Sequence, residues 1–426
     1  MKKQLLSTSA LVAAGMMATA GAASAQTAPA SSPIQITVGG YMYNFLSYAS
    51  QDKRGLGTGS TGITNKPSPV QVNTDDEIWF QGKTTLANGI SVALRVELEA
   101  NTESDQIDES FGIVEGAFGR IEIGSTDNAA YKMSIHAPDA ALGIAVAGVQ
   151  SYTSNIVANP TAVNGAGFLD NPFNTTLPRM GDNDSEKISY FTPRFEGFQL
   201  GVSYVPELTQ DRGGIASMHF NTNTYHSGFM AGLNFTRAFG PIDIAASAGY
   251  VHLTKPDATA SGGGSNNGTL SDPQAYTVGA QVGYAGFRLG GSYLHQKDYA
   301  QVSAGQTGAG AGMTGAGWTG ATGAFLNGHS WDAGLTYTFG PAVVGITYMY
   351  GKDRGVTTVG STTAANGGGG SDISKGGAIT GRYQLGPGVN VEASVFHFNV
   401  EGNFTGSGGV DKNSATGVMT GLLLNF

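Results

Sequence analysis

The chain has no cysteine among its 426 residues, so no disulfide staples the fold. Charge is scarce too: Asp, Glu, Lys and Arg make up 12% of the residues, where water-soluble domains carry roughly a quarter. Basic residues are outnumbered, 22 against 31, which argues against a nucleic-acid partner, since that would need a basic surface. Beyond the first 25 residues no apolar run reaches the roughly 18 residues that a membrane-crossing helix needs. Glycine, by contrast, is abundant at 66 residues. A β-barrel in lipid meets these conditions together, because its apolar residues fall at alternate positions and never form a long run.

The first 25 residues read as an export signal. Lys2 and Lys3 form the basic end, Leu5 to Ala22 the apolar stretch, and Ala23-Ser24-Ala25 the cleavage site. The expected organisation is a signal peptide over 1–25, a short extension over 26–33 and a single barrel over 34–426. Losing Lys2 and Lys3 leaves 20 basic against 31 acidic residues, moving the formal charge from -9 to -11. Negative lumen or loop charge would favour cations modestly.

Short turns alternate with long polar connections down the chain. The turns are Ala87-Asn88-Gly89, Phe118-Gly119, Pro193 to Gly197, Gly240-Pro241, Ala285-Gly286, Gly340-Pro341 and Gly386-Pro387-Gly388. The long connections are expected near 50–74, 101–108, 127–185, 207–224, 255–273, 298–328, 352–374 and 402–413. Eight hairpins, hence sixteen strands, lie between them. A soluble sandwich has no reason to keep its long loops at one end, whereas an up-and-down membrane barrel does. The fold class expected is therefore all-β: a transmembrane antiparallel up-and-down β-barrel of sixteen strands.

Individual strands carry two faces. From Ile90 to Glu99 the outward set is Ile90, Val92, Leu94, Val96 and Leu98, against Ser91, Ala93, Arg95, Glu97 and Glu99 inward. The same split holds over Gly197 to Tyr204, Tyr276 to Tyr284 and Trp331 to Phe339, with aromatics at both ends of the last two outward faces, where interfacial girdles lie. The opening strand, Ile34 to Ala49, is apolar on both faces, as expected of a wall packed against a neighbouring subunit. The final strand, Ser414 to Phe426, alternates Thr416, Val418, Thr420, Leu422, Leu424 and Phe426 against a smaller, mixed set. It is expected to pair with the opening strand and close the sheet.

No catalytic or metal motif stands out. Two G-x-G-x-x-G matches, from Gly57 and from Gly310, lack the strand-to-helix context of a phosphate loop. The seven histidines show no H-E-x-x-H spacing, and no activated serine motif is present. No cofactor is expected. Asp75, Asp76, Asp105, Asp108 and Glu109, read as external-loop acids, could hold a structural calcium, with solvated loop charge as the plainer reading.

The long segment over 126–185 lacks strand pattern yet contains apolar pieces, Ile144 to Val149 and Phe168-Leu169. Folding into the lumen would bury those pieces and narrow a pore; an external cap is the alternative.

Two stretches resemble the Gram-negative general porins: Lys187 to Tyr204, KISYFTPRFEGFQLGVSY, and Gly116 to Gly124, GAFGRIEIG. With the signal, the terminal Phe and the turn–loop alternation, the resemblance spans the whole mature chain. It implies a passive, trimeric, sixteen-stranded channel with its third external loop folded inside. It also implies that Phe426, with Leu422 and Leu424 before it, forms the outer-membrane assembly signal. Two departures stand out: Ser125 follows Gly124 where an Arg is frequent, and the third loop lacks P-E-F-G-G.

Strand height nominates a constriction. Lys83 and Arg95 flank the turn at Asn88, and Arg382 precedes Gly386 by four residues, all facing inward, with Arg120 lower and Glu97 beside Arg95. A basic wall of Lys83, Arg95 and Arg382 facing Asp139 and Asp170 of the long segment would create a transverse field. The plainer reading is wall charge satisfying itself. The expected function is a water-filled pore for passive diffusion of ions and small hydrophilic solutes across the outer membrane, with a substrate-specific channel as the alternative. A membrane hydrolase and an adhesin are the competing classes. The expected partners are outer-membrane lipid and lipopolysaccharide, the outer-membrane assembly machinery and two further copies of the chain, with no nucleic acid.

Overall fold

In the structure, a computed structural model, the described residues are 33–51, 56–58, 64–65, 68–100, 106–141, 176–178, 180, 184–208, 225–255, 272–301, 324–354, 371–401 and 412–426. The expected signal, most of the extension, and Asp105 and Asp170 lie outside them. The barrel strands are β1 (Gln35–Gln51), β2 (Val70–Thr85), β3 (Ser91–Glu99), β4 (Ile107–Gly116), β5 (Gly119–Ser125), β6 (Glu186–Phe191), β7 (Phe198–Glu207) and β8 (His226–Phe239). They continue as β9 (Ile242–Thr254), β10 (Gln274–Tyr284), β11 (Phe287–Gln301), β12 (Ala324–Phe339), β13 (Ala342–Arg354), β14 (Ser371–Gly386), β15 (Val389–Glu401) and β16 (Lys412–Asn425). A short helix, α1 (Ala129–Lys132), follows β5. None of the described helices is long and apolar enough to cross a membrane.

Every strand pairs antiparallel with its neighbours, and β16 pairs with β1 to close the barrel. The seal is completed at the short-turn end, where Gly40 and Phe426 exchange backbone hydrogen bonds of 3.0 and 3.1 Å. Closure leaves no strand edge in lipid, where an unpaired peptide group costs several kcal/mol. All seven short turns fall where expected. At Ala285-Gly286 both residues take positive φ, 49° and 84°, as a two-residue hairpin with the natural strand twist requires.

At three of the long connections the flanking strands run further than the sequence reading placed them. β1 and β2 run to Gln51 and from Val70, β11 and β12 to Gln301 and from Ala324, β13 and β14 to Arg354 and from Ser371. These extensions mix polar and apolar residues, as in Asp298 to Gln301 and Ala324 to Gly328, so backbone pairing continues where clean hydrophobic alternation stops. Asp75 and Asp76 consequently stand on β2, and Asp108 and Glu109 on β4, rather than in external loops.

The outward faces are as expected, with Leu94, Leu200, Val278 and Leu335 exposed. The inward faces are less polar than a wet lumen suggests. Tyr43, Phe45 and Ala49 of β1 are buried in an inner-wall cluster with Met349, Phe396, Phe398 and Met419. The doubly apolar character of β1 thus has a cause inside the barrel. A second inner cluster joins Val205, Met230, Val251, Leu253, Ala275 and Leu294 to Met180 of the long segment. Chain folded inside a barrel needs an apolar surface to bury against, and these residues supply it.

Candidate functional site: the lumen and its inserted segment

After β5 the chain turns into the lumen. Asn128 caps α1, its side chain accepting from Tyr131 N at 3.0 Å. The following residues then cross the inner wall strand by strand. Ala129 N donates to Ser203 Oγ on β7 (2.8 Å), and Met133 O accepts from Asn234 Nδ2 on β8 (3.0 Å). Ile135 N donates to Ser247 Oγ on β9 (2.8 Å), and His136 O accepts from Gln281 Nε2 on β10 (2.7 Å). Ala137 N donates to Asp332 Oδ1 on β12 (3.0 Å), and Asp139 Oδ1 accepts from Thr380 Oγ1 on β14 (3.0 Å). A segment without its own ladder thereby has its peptide groups answered by wall side chains.

The wall is shaped to receive it. Inward positions along the path are glycines: Gly232, Gly249, Gly279, Gly334 and Gly345. A Cβ at Gly279 would stand 1.8 Å from the Ile135 carbonyl oxygen, and one at Gly334 2.6 Å from that of Pro138. Asp332 ties both arms of the segment to the wall. Besides Ala137 N, it accepts from Ser292 N (2.7 Å), Ser292 Oγ (2.8 Å) and Thr176 Oγ1 (2.9 Å). Thr176 also lies 2.8 Å from His136 Nδ1, whose Nε2 is 2.7 Å from Ser134 Oγ. Burial pushes His136 down to a pKa of about 4. It pushes the Asp139 carboxyl up to about 6 and Asp184 up to about 8, where Asp108, Asp127 and Glu109 add to the effect.

The nominated wall residues sit as follows. Arg95 lies with its guanidinium carbon 4.5 Å from the centre of the Trp79 ring and is paired to Glu97. Arg120 pairs with the buried Glu122 (2.6 Å), which also takes Lys132 Nζ (2.8 Å). Arg382 is 3.9 Å from Glu392. Lys83 is inward on β2, in register with Ala93, and exposed to the lumen. Lys83, Arg95 and Arg120 therefore share one stretch of wall, while Arg382 stands on β14. Asp139 bonds Thr380 of that same strand, so it sits beside Arg382 rather than across from it.

The sequence reading missed a concentration of carboxylates on β2–β4. Glu77, Glu97 and Asp108 bring carboxylate oxygens within 4.8 Å of one another, an oxygen-rich set able to hold a cation. Glu109 accepts from Thr126 Oγ1 (2.8 Å) and Asp127 N (3.0 Å), fixing the entrance of the inserted segment. The signal for the insertion was present as inward-facing glycine at mid-strand on neighbouring strands.

Comparison with known proteins agrees with this geometry. The family model described as Gram-negative porin matches residues 8–403. An uncharacterized protein of Rickettsia conorii is 22% identical over 265 residues, covering 50% of this chain; the chain spans 60% of that relative's length. Similar solved structures include the anion-selective porin of Comamonas acidovorans (14% identity, TM-score 0.53, 92% of this chain and 100% of that one). OmpT of Vibrio cholerae (11%, 0.52, 92% and 98%) and OmpF of Salmonella typhi (15%, 0.50, 92% and 97%) share the architecture as well. At these identities the structural likeness concerns the fold.

Proposed function

Because the chain belongs to the Gram-negative porin family, we propose that its outer-membrane channel passes ions and small hydrophilic solutes without a dedicated substrate site, and favours cations. The observation carrying the cation preference is the carboxylate wall. Arg95 answers one of the three carboxylates of Glu77, Glu97 and Asp108, and the entrance of the inserted segment adds Glu109 beside them. Carboxylates lining a narrow, low-dielectric passage raise the local cation concentration and exclude anions. The test is the reversal potential of the purified protein in a planar bilayer under a KCl gradient. A potential of the cation-selective sign supports the reading, and an anion-selective sign overturns it. Saturable, solute-specific block would favour the substrate-specific alternative.

The working unit on this reading is a trimer, supported by the outer face of β1 and β2. There Asn44 and Thr74 are register partners on the outward face, Thr74 Oγ1 donating to Asn44 Oδ1 at 3.1 Å, and Asp76, two residues on, stands opposite Met42. Ile36, Val38 and Met42 lie exposed on one side of this polar patch, and Leu46, Tyr48 and Val72 on the other. Polar groups at hydrocarbon depth are costly against lipid, and a neighbouring subunit would remove that cost. Light scattering in detergent giving the mass of one copy would remove the trimer.

Residues 1–25 serve, on the same reading, as a cleaved export signal, so the N-terminal sequence of the protein recovered from outer membranes should begin at Gln26. Leu422, Leu424 and Phe426 serve as the assembly signal, consistent with the exposed Phe426 ring at the short-turn end.

A further inference from the structure

Two histidines meet across a strand pair at the loop end of the barrel. His295 of β11 and His329 of β12 are far apart in sequence yet are direct register partners. No other pair of histidines is in register among the described residues. Both side chains face away from the lumen: His295 stands between the buried Leu294 and Gln296, and His329 between the buried Gly328 and Ser330. Opposed side chains on one face of an antiparallel pair have Cβ atoms about 4.5–5.5 Å apart, so both imidazoles can reach a common point. Sequence spacing could not reveal the pair, because H-E-x-x-H is a pattern of one helix face and this is a cross-strand contact.

The ring nitrogens of this pair are uncommitted. His136 is bonded to Ser134 and Thr176, His226 to Ser227, and His397 to Thr416 and Asn399. No hydrogen bond holds His295 or His329 among the described residues. Their rings lean instead on aromatic neighbours, His295 on Tyr276 at 5.0 Å and His329 on Tyr293 and Tyr350 at 6.1 Å each. Ten positions along β12 separate His329 from Phe339 at the short-turn girdle. At about 3.3 Å per residue and a tilt near 45°, the histidine stands roughly 23 Å higher, at the loop-side membrane boundary. Turning the two half-exposed rings toward each other there is a side-chain rotation and leaves the wall as it is.

We infer that His295 and His329 form a binding site for a divalent late first-row transition ion, of the class Cu2+, Ni2+ and Zn2+. Neutral imidazole is a donor these ions favour, with bonds of about 2.0–2.1 Å for zinc. The pair's outer register partners are Tyr276 and Lys352. The row therefore offers no carboxylate, and Ca2+ or Mg2+, which need several oxygen donors, are poorly matched to it. Two protein nitrogens leave the remaining coordination positions to water, which makes the ion exchangeable. The site lies on the opposite side of the wall from the lumen carboxylates Glu77, Glu97 and Asp108, and it does not rest on the channel reading.

Electron paramagnetic resonance of Cu2+ added to the full-length protein tests it. The protein carries no affinity tag, is held in non-ionic detergent, is stripped with EDTA and dialysed, and is kept near pH 7.5 so that imidazole is neutral. With about one equivalent of Cu2+ the unaltered protein should show coupling to a pair of imidazole nitrogens, and His295→Gln or His329→Gln should leave a single nitrogen. Calorimetric titration with Zn2+ should show affinity at least about tenfold weaker in either variant. His397→Gln, at an outward histidine of β15 already engaged with Thr416 and Asn399, should change it less than about twofold. Absence of the paired-nitrogen coupling in the unaltered protein would overturn the inference, whether or not the variants fold. So would a folded double variant that keeps the parent's spectrum or Zn2+ affinity, or displacement of Zn2+ by about a tenfold excess of Ca2+.

Discussion

Gly279→Val is the sharpest perturbation of the inserted segment. The new Cβ would start 1.8 Å from the Ile135 carbonyl oxygen. To reach even 3.0 Å that oxygen must retreat about 1.2 Å, and the wall side of the contact is β-sheet backbone that cannot give way. The segment must move toward the barrel axis. Doing so stretches the Ile135 N to Ser247 Oγ bond of 2.8 Å and the Gln281 Nε2 to His136 O bond of 2.7 Å. At about 1 kcal/mol net for each, docking weakens by ~2 kcal/mol, roughly 30-fold in the docked-to-undocked ratio. Val itself is a good strand residue, so the barrel should assemble. Single-channel recording should show a lower conductance and more open-channel noise. Ala280→Val, on the same strand but facing lipid, should leave both unchanged. A folded Gly279→Val barrel with the parent's conductance and noise would refute the placement of Ile135 against this strand.

Neutralising Glu77, Glu97 and Asp108 together as Gln, Gln and Asn should lower the cation-to-anion permeability ratio at least about twofold, read as a shift of reversal potential toward zero; a fixed potential would detach selectivity from that wall. Arg95→Ala should raise cation preference, since it leaves Glu97 without its paired guanidinium; unchanged conductance and selectivity would remove Arg95 from the constriction. Acidification acts on the inserted segment through His136. Its docked pKa, about 4, lies below the ordinary 6.5, so its contribution to docking is complete above about pH 6.5 and is lost as pH falls to about 4, by roughly 3 kcal/mol. Channel noise should rise over that window and do so less in His136→Gln. Asp139 has the opposite sign: its raised pKa of about 6 means docking is favoured at low pH and disfavoured as pH climbs through 6. Asp139→Asn should therefore quiet the channel near pH 8 and change little near pH 4. Deleting Phe426 removes the ring and the two hydrogen bonds to Gly40, and should reduce insertion into outer membranes more than it alters the conductance of inserted channels; normal insertion would dismiss the assembly role.

The barrel was legible because its constraints are local. Turn chemistry such as Ala285-Gly286, and alternation such as Ile90 to Glu99, are dictated by backbone geometry and by lipid on one side. The closing pair of β16 with β1 followed from the need to leave no free edge. What failed at strand ends failed for a physical reason: beyond the membrane boundary the ladder of β11 with β12 continues in mixed polar and apolar sequence, where no solvent asymmetry writes a pattern. The inner apolar clusters were illegible for a related reason. Alternation distinguishes two faces but does not say that the lumen is partly filled, so it gave no sign that the inward Tyr43 and Phe45 would be buried with Phe396 and Met419 on the inner wall.

The wall charges show where strand height stops being informative. Height correctly selects inward cations, but the field they exert depends on their nearest neighbours. Arg95 with Glu97 and Arg120 with Glu122 are two residues apart on one strand, on the same face. Arg382 and Glu392 are direct register partners on adjacent strands. Each such pair is a dipole a few ångströms long, whose potential falls faster with distance than that of a single charge. Across a water-filled lumen, with screening over about 8–10 Å, little of it reaches the axis. The field that a permeating ion feels is then set by charge left over after pairing. On β2–β4 the groups beside the Arg95–Glu97 pair are the clustered carboxyl groups of Glu77 and Asp108 and, lower on the same wall, the lumen-exposed Lys83. A sequence scan counts the basic wall first because arginines are conspicuous. The geometry pairs much of it locally, which is why the proposed cation preference rests on the acids.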